Sequence, residues 1–145
     1  MTFVLDSSVT LSWVFEDETI RGEAANSSSG SSPDSVLTRL LGDEAVVPTL
    51  WPLEVANALL VGQRRGRLTH SEIQRFLQLL AALPIEIDPE TPRVSFHQIL
   101  PLAREQNLSA YDASYLELAL RIGSPLATRD ADLIRAASAT GESLA

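Results

Sequence analysis

Short uninterrupted apolar runs alternate with longer stretches of helical period along this chain. Met1 to Leu5 is such a run and ends at Asp6, predicting a strand and a turn. Val9, Leu11, Trp13, Val14 and Phe15 then predict a helix, which Glu16, Asp17 and Glu18 end unfavourably for its dipole. Residues 21–33 are almost without apolar side chains, and the Asn-Ser-Ser-Ser-Gly-Ser-Ser-Pro stretch predicts a mobile loop, a candidate flap over a substrate groove. A short helix is expected over Asp34–Leu41, with Val36, Leu37, Leu40 and Leu41 inward and Gly42 as its stop. Ala45–Val47 reads as a second strand. A helix follows over about Pro52–Arg65, with Val55, Leu59 and Leu60 on its apolar side. Thr69 and Glu72 form a capping box ahead of Ile73, Phe76, Leu77 and Leu80.

A third strand is expected over Ile85–Ile87, then a helix over Thr91–Gln106 using Val94, Phe96, Ile99, Leu102 and Ala103, with Pro101 kinking it. The stretch Leu108–Leu133 reads helix, strand, helix. Ser109 and Asp112 open its first helix and Gly123 closes it; Leu126–Thr128 suits a buried strand; Asp130 and Asp132 begin the last helix, with Leu133, Ile134 and Ala137 inward. Strands that alternate with helices and are apolar throughout favour a small parallel β-sheet flanked by α-helices on both faces, an α/β/α sandwich. No internal repeat is present.

Composition narrows the chemistry. The 145 residues fit one domain spanning 1–145, and a 45% hydrophobic share supports a core. With no Cys and two His, neither a disulfide framework nor a thiolate zinc site can be built. All 11 basic residues are Arg, so a P-loop lysine is excluded. No basic-then-apolar leader and no span of about 18 apolar residues is found, so a cytoplasmic protein without membrane partners is the expectation. The net charge of -8 by itself argues against nucleic-acid binding, unless the acids are gathered in a metal site.

Asp6, Glu54, Asp112 and Asp130 each stand at a strand end or helix start, and Asp132 is a candidate fifth. Taken singly, each reads first as a helix cap or a dipole partner worth roughly 0.3–1 kcal/mol. Taken together, this topology can bring them to one rim, where ligands bind in α/β sheets. Gathered carboxylates either take raised pKa values or bind a cation, and without His or Cys the cation is a hard one, Mg²⁺ or Mn²⁺. Asn57 lies one helical turn beyond Glu54. Arg64, Arg65 and Arg67 could draw a phosphate backbone or face acids on a partner, although a solvated helix end explains them as well. Tyr111 and Tyr115 could stack on bases, but at helical spacing they suit core or dimer packing better.

The segments Phe3-Val-Leu-Asp6-Ser-Ser8, Pro52-Leu-Glu54-Val-Ala-Asn57, Leu108-Ser-Ala-Tyr111-Asp112-Ala and Leu126-Ala-Thr128-Arg-Asp130-Ala-Asp132 together resemble the PIN domain, and specifically the VapC-type toxins of bacterial toxin–antitoxin pairs. The resemblance implies a metal-dependent endoribonuclease using one or two Mg²⁺ or Mn²⁺ ions. Asp6, Glu54, Asp112 and Asp130 match the acidic positions, Asp132 less closely; Ser8 and Thr128 match supporting hydroxyls and Asn57 an outer group. It further implies an RNA substrate, a VapB-like antitoxin whose tail inserts beside the acids, and a homodimer. The Ser-rich stretch at 26–33 departs from relatives, which tend to be helical there. Two other readings remain: an Asp6-nucleophile phosphotransfer enzyme, which would want an Asp where Ser8 stands and a Lys the chain lacks, and a catalytically inactive PIN-fold binding module.

Overall fold

A computed structural model describes residues 1–15 and 30–145. Four strands, β1 (Thr2–Leu5), β2 (Glu44–Pro48), β3 (Ile85–Asp88) and β4 (Leu126–Ala127), form one sheet in the order β3-β2-β1-β4. Every pairing is parallel, with Val4 opposite both Val46 and Leu126. Successive residues of a strand face opposite sides, yet Phe3, Val4 and Leu5 are all fully buried, so both faces of β1 are covered.

The helices are α1 (Ser7–Ser12), α2 (Pro33–Arg39), α3 (Trp51–Arg64), α4 (His70–Ala82), α5 (Thr91–Val94), α6 (Leu100–Gln106), α7 (Ala110–Ile122) and α8 (Ala131–Thr140). The central one is α7, in which Ala113 through Ala119 are buried without a break, as a helix covered on all sides must be. Ser109 accepts the Asp112 N–H at its start, and Gly123 ends it in the left-handed region at φ 65°. Thr69 and Glu72 make the reciprocal capping box that opens α4. None of the described helices is long and apolar enough to cross a membrane.

Several expectations are corrected. The helix expected over Thr91–Gln106 is divided: α5 and α6 are separated by a π-helical turn, Ser95–Ile99. Pro101 has no N–H to give the carbonyl one turn back and its ring crowds that carbonyl, so the ladder opens just ahead of it. Phe96, expected inward, is 76% exposed as a result. Leu41 is 87% exposed because α2 stops at Arg39 and the chain turns outward before β2. Leu60 is likewise exposed, while Val55 and Leu59 one turn apart are buried. The first helix ends at Ser12, with Trp13 as its cap. The expected fraying end at Glu16–Glu18 and the loop up to residue 29 lie outside the described residues. The last part of that expected loop is anchored: Ser31 is buried, and a Cβ at Gly30 would stand 3.2 Å from the Thr128 carbonyl.

Candidate active site

The strand order places the site. From β1 the chain moves to β2 and then outward to β3, whereas β4 adds on the other side of β1, so the direction of winding changes between β1 and β4. In such sheets a crevice opens at the carboxyl ends of the two strands on either side of that change. Asp6 follows β1 directly and Thr128 follows β4 directly, and the Asp6 N–H donates to the Ala127 carbonyl at 2.9 Å, continuing the ladder to the rim. Glu54 lies in the first turn of α3, Asp112 in the first turn of α7, and Asp130 caps α8. Helix N-termini with their partial positive charge therefore surround the acids.

Asp6 is buried and tightly held. Ser8 Oγ donates to its Oδ2 at 2.6 Å and Thr128 Oγ1 donates to the same oxygen at 2.8 Å, so Oδ1 takes neither bond. Both hydroxyls also accept: Ser8 Oγ from the Arg129 N–H at 3.0 Å, and Thr128 Oγ1 from the Asp130 N–H at 3.0 Å. Ser31 braces Thr128 from behind, accepting its N–H at 3.2 Å and donating through its own N–H to the Thr128 carbonyl at 2.9 Å. Thr10 Oγ1 contacts the Asp6 carbonyl at 3.4 Å and accepts Trp51 Nε1–H at 3.2 Å, which ties the start of α3, and so Glu54, to the end of β1. Glu54 is half-buried, and its Oε1 accepts the hydroxyl of Tyr115, whose ring is fully buried in the main core.

The acids feel one another. Burial pushes Asp6 up to about 6 against the downward pull of Ser8 and Thr128, with Glu54 and Asp130 adding repulsion. Asp112 is pushed up to about 6, first by burial and then by Asp130 and Asp6. Glu54 is raised by burial, partly offset by the Tyr115 hydroxyl, with Asp112 raising it further. Among the described residues none of these four pairs with an Arg. Nor do any three His, Asp or Glu among the described residues stand close enough to clasp an ion as they are oriented. Uncompensated carboxylates hold apart in this way. The donor set is carboxylate and hydroxyl oxygen, which in its chemistry fits a hard divalent cation.

The remaining expected residues lie further out. Asp130 does serve as a cap, its Oδ1 accepting the Leu133 N–H at 3.0 Å, while it also repels Asp6 and Asp112. The Asp132 side chain is 69% exposed and pairs with Arg135 at 3.6 Å. Asn57 is exposed and hydrogen-bonds none of the acids. Arg64 and Arg65 end α3, ten residues and about 15 Å of helix beyond Glu54. Arg67 lies over the Phe15 ring, 4.8 Å from its centroid. Tyr111 is exposed beside Asp112, whereas Tyr115 is core. Tyr115, Ser31, Thr10 and Trp51 were not legible as site supports; only Tyr115, one helical turn after Asp112, carries a signal that could have found it.

Comparison with known proteins agrees with the fold. The crystal structure of PAE2754 from Pyrobaculum aerophilum superposes with a TM-score of 0.61 at 22% sequence identity, covering 94% of this chain and 79% of that one, a likeness of fold. No curated protein matches the chain. The PIN domain family matches residues 3–139, which takes in all four strands but for Thr2 and every acid discussed above. The chain belongs to the PIN domain family.

Proposed function

We propose that this protein is a divalent-metal-dependent endoribonuclease that acts as the toxin of a toxin–antitoxin pair. PIN domains are generally nucleases and typically use a divalent metal. The observation that carries the reading is the convergence of Asp6, Glu54, Asp112 and Asp130, from four separate stretches of chain, at the change of winding between β1 and β4. Those four carboxylates would hold one or two Mg²⁺ or Mn²⁺ ions. When bound, the metal supplies a Lewis acid that makes water nucleophilic near neutral pH and offsets charge on the phosphodiester.

The protein's own part is positioning. Ser8 and Thr128 fix Asp6 through one oxygen, and Ser31 fixes Thr128. The α3, α7 and α8 N-termini hold the other carboxylates in partial positive fields. The oxygen of water adds to phosphorus as the bond from phosphorus to the 3′ oxygen breaks, leaving a 5′-phosphate and a 3′-hydroxyl. No side-chain nucleophile is required. Tyr111, exposed on the rim, suits stacking against a base. A VapB-like antitoxin and a homodimer follow from the resemblance to VapC-type toxins; growth arrest on expression, relieved by the co-expressed antitoxin, tests the first, and light scattering tests the second.

The direct experiment incubates purified protein with RNA in Mg²⁺ and in EDTA, alongside Asp6→Asn. Cleavage that requires Mg²⁺ and is lost in the variant is expected. Cleavage in EDTA, or full activity in Asp6→Asn, overturns the mechanism.

A further inference from the structure

Tyr115 occupies an unusual place for a tyrosine. Its ring is fully buried in the main core on α7, between the helix that carries Asp112 and the sheet, yet its hydroxyl emerges where α3 begins and donates to Glu54 Oε1. Tyr115 is thus fixed by the packing of its ring, whereas Glu54 is half-buried on the first turn of α3, so the phenol directs Glu54 rather than following it. With Oε1 engaged, Oε2 is the oxygen left to face a ligand. Oε1 keeps a second lone pair, but a cation there would have to share the oxygen with the phenol proton, so a carboxylate tied in this way favours binding through Oε2 alone. Small cations such as Mg²⁺ take single oxygens in an octahedron, whereas Ca²⁺ readily takes both oxygens of a carboxylate at longer distance.

We propose that Tyr115 is a positioning residue that keeps Glu54 a one-oxygen ligand and so biases the acid cluster toward small octahedral cations over Ca²⁺. This rests on the metal-dependent reading above and adds to it the basis of ion choice. It assigns Tyr115 no contact with the reacting atoms.

The test needs no RNA. Mg²⁺, Mn²⁺ and Ca²⁺ are titrated calorimetrically into metal-free wild type, Tyr115→Phe, Glu54→Gln and the double variant. Tyr115→Phe keeps the ring and should weaken Mg²⁺ and Mn²⁺ about tenfold, as loss of a ligand's supporting partner does, while Ca²⁺ holds or tightens. In the Glu54→Gln background the same substitution should change little, because the amide can still accept the phenol but the carboxylate ligand that Tyr115 positions is gone. Glu54→Asp draws the carboxylate away from the phenol with Tyr115 in place, and should also narrow the preference for Mg²⁺ over Ca²⁺; it answers the question even if the Phe variant fails to fold. Unchanged affinities in Tyr115→Phe, an equal loss for all three ions, or a loss that persists with Gln at 54 overturns the positioning role while leaving the metal reading intact. A wild type that binds none of the three ions overturns both.

Discussion

Two acidic clusters in this protein differ in one respect. At the end of β3, Asp88 and Glu117 are joined by Arg121, which donates to Asp88 at 2.6 Å and to Glu117 at 2.7 Å. These contacts push the Arg121 pKa up. At the ends of β1 and β4, Asp6, Glu54, Asp112 and Asp130 gather with hydroxyls and helix N-termini but with no Arg partner among the described residues, and Asp6 and Asp112 both rise to about 6. The first cluster is a finished interaction that fastens α7 to the sheet edge. The second stores repulsion that an external cation can relieve. A count of acids does not separate a strut from a site; the presence of an internal counter-charge does.

The contrast can be broken in order of expected effect. Asp6→Asn should lower RNA cleavage by about 10²–10³-fold, measured as initial rate in saturating Mg²⁺, with little loss of stability. Arg121→Ala should do the opposite: it leaves two buried carboxylates facing each other and should cost about 2–4 kcal/mol in denaturant unfolding, with activity per folded molecule retained. Thr128→Val keeps the shape but removes a donor to Asp6 and the acceptor for the Asp130 N–H, and should reduce cleavage about tenfold.

The smallest effect concerns pH. Asp6 and Asp112 titrate near 3.8 when unfolded and at about 6 when folded, so between those values the folded state binds more protons. Their contribution to stability is therefore best below about pH 4, falls as pH rises to about 6, and is flat above. Metal-free protein carrying Asp112→Asn should lose less stability between pH 5 and 7 than wild type. At pH 7 it should be more stable by about 1 kcal/mol, a figure reduced for the half-exposure of the group. Mg²⁺ should stabilise wild type more than this variant in a thermal melt. Equal melting curves for the two across pH would place Asp112 outside the repelling group.

The position of the uncompensated acids at element ends was legible from the chain alone, because the signals are local. Asp6 and Asp130 stand where the apolar period changes from that of a strand to that of a helix, and the Ser109 and Thr69 caps announce their helices within four residues. The bracing was not legible. Tyr115 reaches Glu54 across 61 positions and Ser31 reaches Thr128 across 97, and no periodicity encodes such pairs. The same holds for exposure. Leu41, Leu60 and Phe96 fit the helical period, but where each helix stops or widens decides which way they point. The Arg121 strut escaped because Asp88 lies on a strand 33 positions earlier; only Glu117, four residues before it on the same helix, is a local pairing.

The widened turn at Ser95–Ile99 has a consequence for how this segment can vary. It spends extra backbone on one revolution, and this swings Phe96 outward while returning Ile99 and Ala103 to the small satellite cluster with Val94 and Ala113. Deleting a single residue there would restore ordinary winding and bring Val94 and Ile99 from a spacing of five to one of four, a single α-helical turn, so both would keep facing the satellite cluster. The segment should therefore accept the loss of one residue between Val94 and Ile99 more readily than the same loss within α7, where no extra residue is held.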